Sequence, residues 1–293
     1  MEMNLTCLAC MLRKNLLEAE KHGDEKSQMA FARGLLQAVL DAPEGVSTPY
    51  LSPVIADLFH KHLGVDPDRF QAEKAFSNQF ALERLPSVNA KIQQAADPVL
   101  AALQYAILGN YIDFSALWGK VDFQELNNRL AEADKIAVDP REYKNFCQEL
   151  AESKTLLYLT DNAGEIVFDG LLAEAIQARY PQLGITFCVR GGPALNDATR
   201  QDAEEVGVSD RFALIDSGCR ASGTPPQMIG AELRAALKNS DVILSKGQGN
   251  VETLNGCGYN IYYAFLAKCQ RFTDRFHVPP LTVMFCNERR FPD

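Results

Sequence analysis

"TLLYLTDNAGEIVFDG", Thr155 to Gly170, decides the fold. An apolar run rich in strand-favouring residues ends on the acid and amide pair Asp161 and Asn162; Gly164 breaks the run, and Glu165 opens a stretch with helical spacing. A buried strand that turns into a helix within a few residues is half of a βαβ unit. The texture recurs downstream, where "ITFCVR", "RFALID", "DVILSK" and "LTVMFC" read as strands with amphipathic segments between them. Their hydrophobicity is continuous, as in strands covered on both faces. Residues 153–293 are therefore expected to form an α/β domain, a three-layer α/β/α Rossmann-like arrangement around a parallel or mostly parallel sheet. Residues 1–152 read differently. Segments such as "CMLRKNLLEAE", "MAFARGLLQAVLDA" and "VLAALQYAIL" carry apolar residues at helical spacing, so this half is expected to be an all-helical domain. No Pro/Gly-rich linker separates the halves near Glu149 to Lys154, which predicts that they pack together.

Composition narrows the function. The 293 residues are 47% hydrophobic and 23% charged, an ordinary globular balance, with a net charge of -9 and a pI near 5.1. Nucleic-acid affinity rests on basic patches that neutralise phosphates, so no nucleic-acid partner is expected. No stretch approaches a membrane span, and the N-terminal stretch lacks the charged and apolar regions of a signal peptide; no membrane partner and a cytoplasmic location are expected. The eight cysteines are scattered rather than dense, which predicts reduced thiols.

In an open parallel sheet, ligands bind beyond the carboxyl ends of the strands. The residues there are Asp161, Asn162, Gly164 and Glu165; Arg190, Gly191, Gly192, Asn196 and Asp197; Ser217 and Gly218; and Lys246, Gly247, Gly249 and Asn250. Asp161, Asn162 and Asp197 are the oxygen donors that hard divalent cations prefer, and Arg190 and Lys246 suit phosphate oxygens. Each motif also has a plain reading. Asp-Asn ahead of a helix is a common cap, "GGPALND" can be a loop ending in a cap, and "SKGQGN" can be a turn without Walker spacing. Caps alone, however, do not require two cations at successive strand ends. Asp169, on the helix face of Glu165, reads equally as a ligand or as a carboxylate that is solvated or supports the site from behind.

Together, "DNAGE" at 161–165, "RGGPALND" at 190–197, "SKGQGN" at 245–250 and "GNYID" at 109–113 resemble the metal-dependent damage-control phosphatases, formerly catalogued as domain of unknown function 89. "CLAC" at 7–10 resembles their bacterial and archaeal branch. The resemblance implies hydrolysis of small phosphorylated metabolites, such as sugar phosphates or damaged cofactor intermediates, with Mg, Mn, Co or Ni as cofactor. It implies Asp161, Asn162 and Asp197 as metal ligands and Lys246 as a phosphate-contacting lysine. Glu165 and Asn250 would line the cleft, and Asn110 and Asp113 would approach it from the helical half. The catalytic set is then Asp161, Glu165 and Lys246, and the substrate-binding set is Arg190, Asn196, Lys246, Asn250, Asn110 and Asp113. A carboxyl methyltransferase using S-adenosylmethionine, proposed for a relative, is one alternative, although no glycine-rich nucleotide fingerprint is present. A protein that holds a phosphorylated ligand or metal without turnover is another.

The remaining polar landmarks suggest packing. Cys7 and Cys10 would need two more ligands to hold zinc, with His60, His62 and Cys147 as the available residues, and a structural role is the simpler expectation. His22 and His277 read as surface or satisfied histidines, and Cys188, Cys257, Cys269 and Cys286 as small buried thiols. Trp118 and the phenylalanines are assigned to the core or the domain interface.

Overall fold

A computed structural model describes residues 1–113 and 121–291. Trp118 lies outside the described residues. Helices α1 (Leu5–Ala19), α2 (Glu25–Leu40), α3 (Ser52–Leu63), α4 (Gln71–Gln94), α5 (Pro98–Gly109), α6 (Phe123–Ala131) and α7 (Pro140–Glu152) come first. There follow β1 (Thr155–Leu159), α8 (Glu165–Arg179), β2 (Gly184–Val189), α9 (Arg200–Glu205), β3 (Ala213–Asp216), α10 (Ala231–Asn239), β4 (Val242–Lys246), α11 (Gln248–Leu254), β5 (Ile261–Ala267), α12 (Gln270–Phe276) and β6 (Thr282–Asn287).

The strands form one sheet in the order β3-β2-β1-β4-β5-β6. β1 to β5 pair in parallel, and β6 closes the edge antiparallel. The order reverses between β1 and β4, the place where an open α/β sheet leaves a crevice at its strand ends. "DNAGE" follows β1 and "GQGN" follows β4, so topology alone brings these two motifs together.

The pleat sends alternate residues to two cores. Leu156, Tyr158, Leu244, Tyr262 and Ala264 share one core with Phe80 of α4, Leu103 and Ile107 of α5, Phe146 of α7 and Phe168 of α8. Leu157, Leu159, Ile243, Tyr263 and Phe265 share the other with Leu233 of α10, Val251 of α11 and Phe272 of α12. Helices α4 to α7 thus serve as part of one outer layer of the sheet, and the two halves of the chain share a continuous core. α1 to α3 close over a smaller cluster of Met11, Phe31, Leu35 and Phe59. α5 is apolar on every side, capped by Asp97 on the Leu100 N-H with Pro98 in its first turn, and it is buried from Ala102 to Gly109.

β5 is the strand that the sequence reading leaves out. All seven of its residues are buried, so "IYYAFLA" shows no alternation to separate it from a short helix.

Candidate metal and phosphate site

The site is built on backbone pairing at the mouth of the crevice. Beyond β1 the Ala163 N-H donates to Asn196 O at 2.9 Å and the Ala198 N-H to Asp161 O at 2.7 Å. Asn162 and Asp197 form an isolated antiparallel bridge in between. The loop "GGPALND" reaches this register through Leu195, whose φ of 52° is strained for a branched side chain and costs of order 1 kcal/mol or more. Its result is to set Asp161 beside Asp197.

Two glycines permit this approach. At Gly164, φ is 77° and an added Cβ would stand 2.7 Å from Ser77 O on α4; its N-H donates to Asn78 Oδ1 at 2.6 Å. At Gly247, φ is 76° and a Cβ would stand 2.0 Å from Asp161 Oδ2. Gly247→Ala is therefore expected to displace Asp161 and to lower turnover by about 100-fold, the usual result of a misplacement near 1 Å at reacting groups. Comparing phosphate release by Gly247→Ala and wild-type protein at matched folded concentration checks this, and equal rates would contradict it.

The two carboxylates are nearly out of water, Asp161 at 7% and Asp197 at 5% exposure. Burial pushes Asp161 well above the usual carboxylate range; Asp197 and Glu165 add to the rise, while Lys268 and Arg190 oppose it. Burial likewise raises Asp197 to about 6 against the pull of Arg190. Arg190 donates from Nε to Asp197 at 2.6 Å and from Nη1 to Gly223 O at 2.9 Å and Asn250 Oδ1 at 3.1 Å. Its Nη2, 3.7 Å from Asp161 Oδ1, is buried with no hydrogen-bond partner. Among the described residues Asp161 accepts on Oδ2, from Asn110 at 3.0 Å and Asn162 at 2.7 Å.

The amides are committed residue by residue. Asn196 donates to Asn162 Oδ1 at 2.9 Å and Ile112 O at 3.1 Å, and its own Oδ1 is buried without a partner. Asn250 holds Thr160 O at 3.1 Å and Lys246 O at 2.8 Å. Asn110, the C-cap of α5, bridges Asp161 and Glu165 and accepts from the Leu266 N-H on β5 at 3.1 Å.

Two residues stand where the sequence alone did not put them, and a third takes one of its readings. Lys246 has no exposed surface; its ammonium is held by Ala106 O at 2.8 Å, Glu165 at 2.5 Å and Asp169 at 2.8 Å, so its three protons are all taken. Glu165 is equally buried and accepts from Asn162 and Asn110 on its other oxygen. Asp169, for which a solvated role was one reading, is buried completely. The cation that sequence reasoning missed is Lys268, the first residue beyond β5. It pairs with Asp113 at 2.8 Å and acts electrostatically on Asp161. Sequence could have found it only by recognising β5.

The oxygen set fits a hard divalent cation. Two buried carboxylates each keep Oδ1 without a hydrogen bond among the described residues, Asn162 Oδ1 has a second lone pair, and a cation would offset the burial that raises both acids and the added repulsion of Asp197 on Asp161. The zinc reading of the cysteines finds no support. Among the described residues no three His, Cys, Asp or Glu side chains converge on a metal, Cys7 Sγ accepts from Arg271 at 3.3 Å, and His60 faces Val65 O at 3.3 Å. Clefts of about 210 Å³, beside Tyr50 and Glu252, and about 230 Å³, beside Lys74 and Asp202, contain neither Asp161 nor Asp197.

Comparison with known proteins agrees on the family. The sequence profile described as damage-control phosphatase ARMT1-like domain matches residues 3–279. Damage-control phosphatase PH1575 of Pyrococcus horikoshii is 28% identical over 294 residues, 99% of both chains. A damage-control phosphatase of Archaeoglobus fulgidus is 31% identical over 281 residues, 92% of this chain and 93% of the relative. A crystal structure of a domain-of-unknown-function-89 protein from Pyrococcus horikoshii superposes with a TM-score of 0.82 at 27% identity, covering 98% of this chain and 99% of that one. The fold, the strand-end motifs and these matches over nearly the full length agree: the chain belongs to the damage-control phosphatase ARMT1-like family.

Proposed function

We propose that this protein is a metal-dependent phosphatase that hydrolyses small phosphorylated metabolites, sugar phosphates or damaged phospho-metabolites, using Mg, Mn, Co or Ni. The observation that carries the reading is the buried pair Asp161 and Asp197 at the crevice, bracketed by the cations Arg190 and Lys268. Asp161, Asn162 and Asp197 would hold the cation, which when bound polarises the phosphoryl group and lowers the pKa of water.

The rest of the work falls to the chain. Arg190 Nη2, which has no hydrogen-bond partner among the described residues, and Lys268, paired with the partly exposed Asp113, offer positive charge to the equatorial oxygens of the phosphoryl group. Asn110, Asn196 and Asn250 tie the three loops and α5 together, so the donors are fixed before substrate arrives. Glu165, paired with Lys246, orients Asn162 rather than facing the rim. Among the described residues no helix is long and apolar enough to cross a membrane, in keeping with a small soluble substrate.

Phosphate release from p-nitrophenyl phosphate and a panel of sugar phosphates tests the reading, with chelated protein and then with each metal restored. Release on metal addition is the expected result. Binding of the esters without release would favour the non-catalytic alternative. In the same assay Lys268→Met is expected to lower kcat/KM by about 10- to 100-fold, the loss of one charge-assisted contact worth roughly 1.5–3 kcal/mol. Unchanged kcat/KM would remove Lys268 from the phosphate site.

A further inference from the structure

Behind the rim lies a second layer of charge with no access to water. Lys246, Glu165 and Asp169 are all fully buried, and Tyr158, also fully buried, donates its hydroxyl to Asp169 Oδ1 at 2.7 Å. The contacts form one chain across three elements. Tyr158 on β1 holds Asp169 on α8; Asp169 holds Lys246 on β4; Lys246 holds Glu165 at the start of α8; and Glu165 Oε2 collects the Asn162 N-H at 3.2 Å, Asn162 Nδ2 at 2.8 Å and Asn110 Nδ2 at 3.1 Å. Because Asn162 Nδ2 is committed to Glu165 and Asp161, its Oδ1 is turned the other way, where it accepts from Asn196 and keeps a second lone pair for a cation.

Burying one cation with two carboxylates is costly. Apolar side chains of the same volume would often stabilise the interior as well or better, so stability alone gives no reason for the triad. Holding an amide and two carboxylates in a fixed arrangement does give one, since groups that orient metal ligands from behind typically change affinity or activity by ~10- to 100-fold when removed.

We propose that Asp169, together with the Tyr158 hydroxyl, is a positioning residue for the metal site, acting through Lys246 on Glu165 and through Glu165 on Asn162. The inference rests on the reading of Asp161, Asn162 and Asp197 as the metal site. Asp169 touches neither the metal nor the substrate, and its effect appears in how well the cation is held.

Manganese titration of chelated protein by calorimetry, with melting curves of the metal-free samples, tests it. Asp169→Asn keeps the shape and is expected to raise the manganese Kd by ~10- to 100-fold. Tyr158→Phe keeps the ring, which stacks on Phe187 at 4.6 Å, removes only the hydroxyl, and is expected to raise the Kd by a smaller factor in the same direction. A merely structural role would lower the melting temperature and leave the Kd unchanged. Wild-type Kd values in the folded variants overturn the proposal, and Tyr158→Phe decides the matter if Asp169→Asn does not fold. Wild-type protein that binds neither manganese nor magnesium, cobalt or nickel in the same titration overturns the parent reading and the positioning role with it; equal binding by wild type and variants overturns the positioning role only.

Discussion

Asp197→Asn is expected to yield a folded protein whose metal-dependent phosphate release is lower by about 10³-fold, because the several kcal/mol that a bound cation supplies to a phosphoryl transition state are lost with its ligand. Folding should survive for an electrostatic reason. Burial already drives Asp197 up to about 6, so a neutral group of the same shape suits the position in the absence of metal. Arg190 loses the charge of its Nε partner, whose amide oxygen still accepts, and keeps Gly223 O and Asn250. Removing the charge of Asp197 also removes one of the causes that raise Asp161, so Asp161 is freer to ionise opposite Arg190 at 3.7 Å. Circular dichroism and melting curves check the fold, and metal-dependent release checks the function. Undiminished release from the folded variant would rule Asp197 out as a ligand.

Lys246→Met is expected to have the largest effect on stability. The substitution leaves Glu165 and Asp169 buried with no cation between them, and breaking a buried ion pair in this way costs about 3–5 kcal/mol. At roughly 2 °C per kcal/mol for a chain of this size, the melting temperature should fall by ~6–10 °C. The loss should depend on pH in a stated direction. Burial already raises Asp169 to about 7 against the pull of Lys246; without that pull it rises further. A carboxyl group whose folded pKa lies above its unfolded value binds more protons in the folded chain, so stability increases as pH falls through that window. The deficit of Lys246→Met relative to wild type should therefore shrink as pH falls from about 9 toward 7, below which Asp169 takes up its proton in both chains. Lys246 is itself held above its ordinary range by Asp169 and Glu165 despite burial, so it remains charged in wild type throughout this interval. A deficit that stays constant or grows on acidification would contradict the buried triad.

These two residues also mark where sequence is informative and where it falls short. Asp161 and Asp197 were legible because each follows a strand whose apolar run is plain, and the switch point between β1 and β4 makes neighbours of "DNAGE" and "GQGN". Lys246 was placed at the right strand end but on the wrong side of it. The pleat puts Lys246 on the same face as Leu244, against α5 and α8, so its ammonium enters the interior and meets Glu165 and Asp169. The matching signal in the sequence is the pair of carboxylates four residues apart on α8, which need a buried cation once that helix face is buried. β5 was missed because burial on both faces erases alternation, and Lys268 was missed with it. The direction of β6 was equally silent, since an apolar run carries no record of whether its neighbour runs with it or against it.

The central claim is that Asp161, Asn162 and Asp197 hold the one cation on which phosphate release depends. The most direct test follows manganese binding and phosphate release together, in a single titration of chelated wild-type protein and of Asp161→Ala. The account predicts that release by the wild type rises in step with occupancy of one site per chain, and that the folded variant neither binds nor releases. Full release from chelated protein, or metal-dependent release retained by Asp161→Ala, would contradict it.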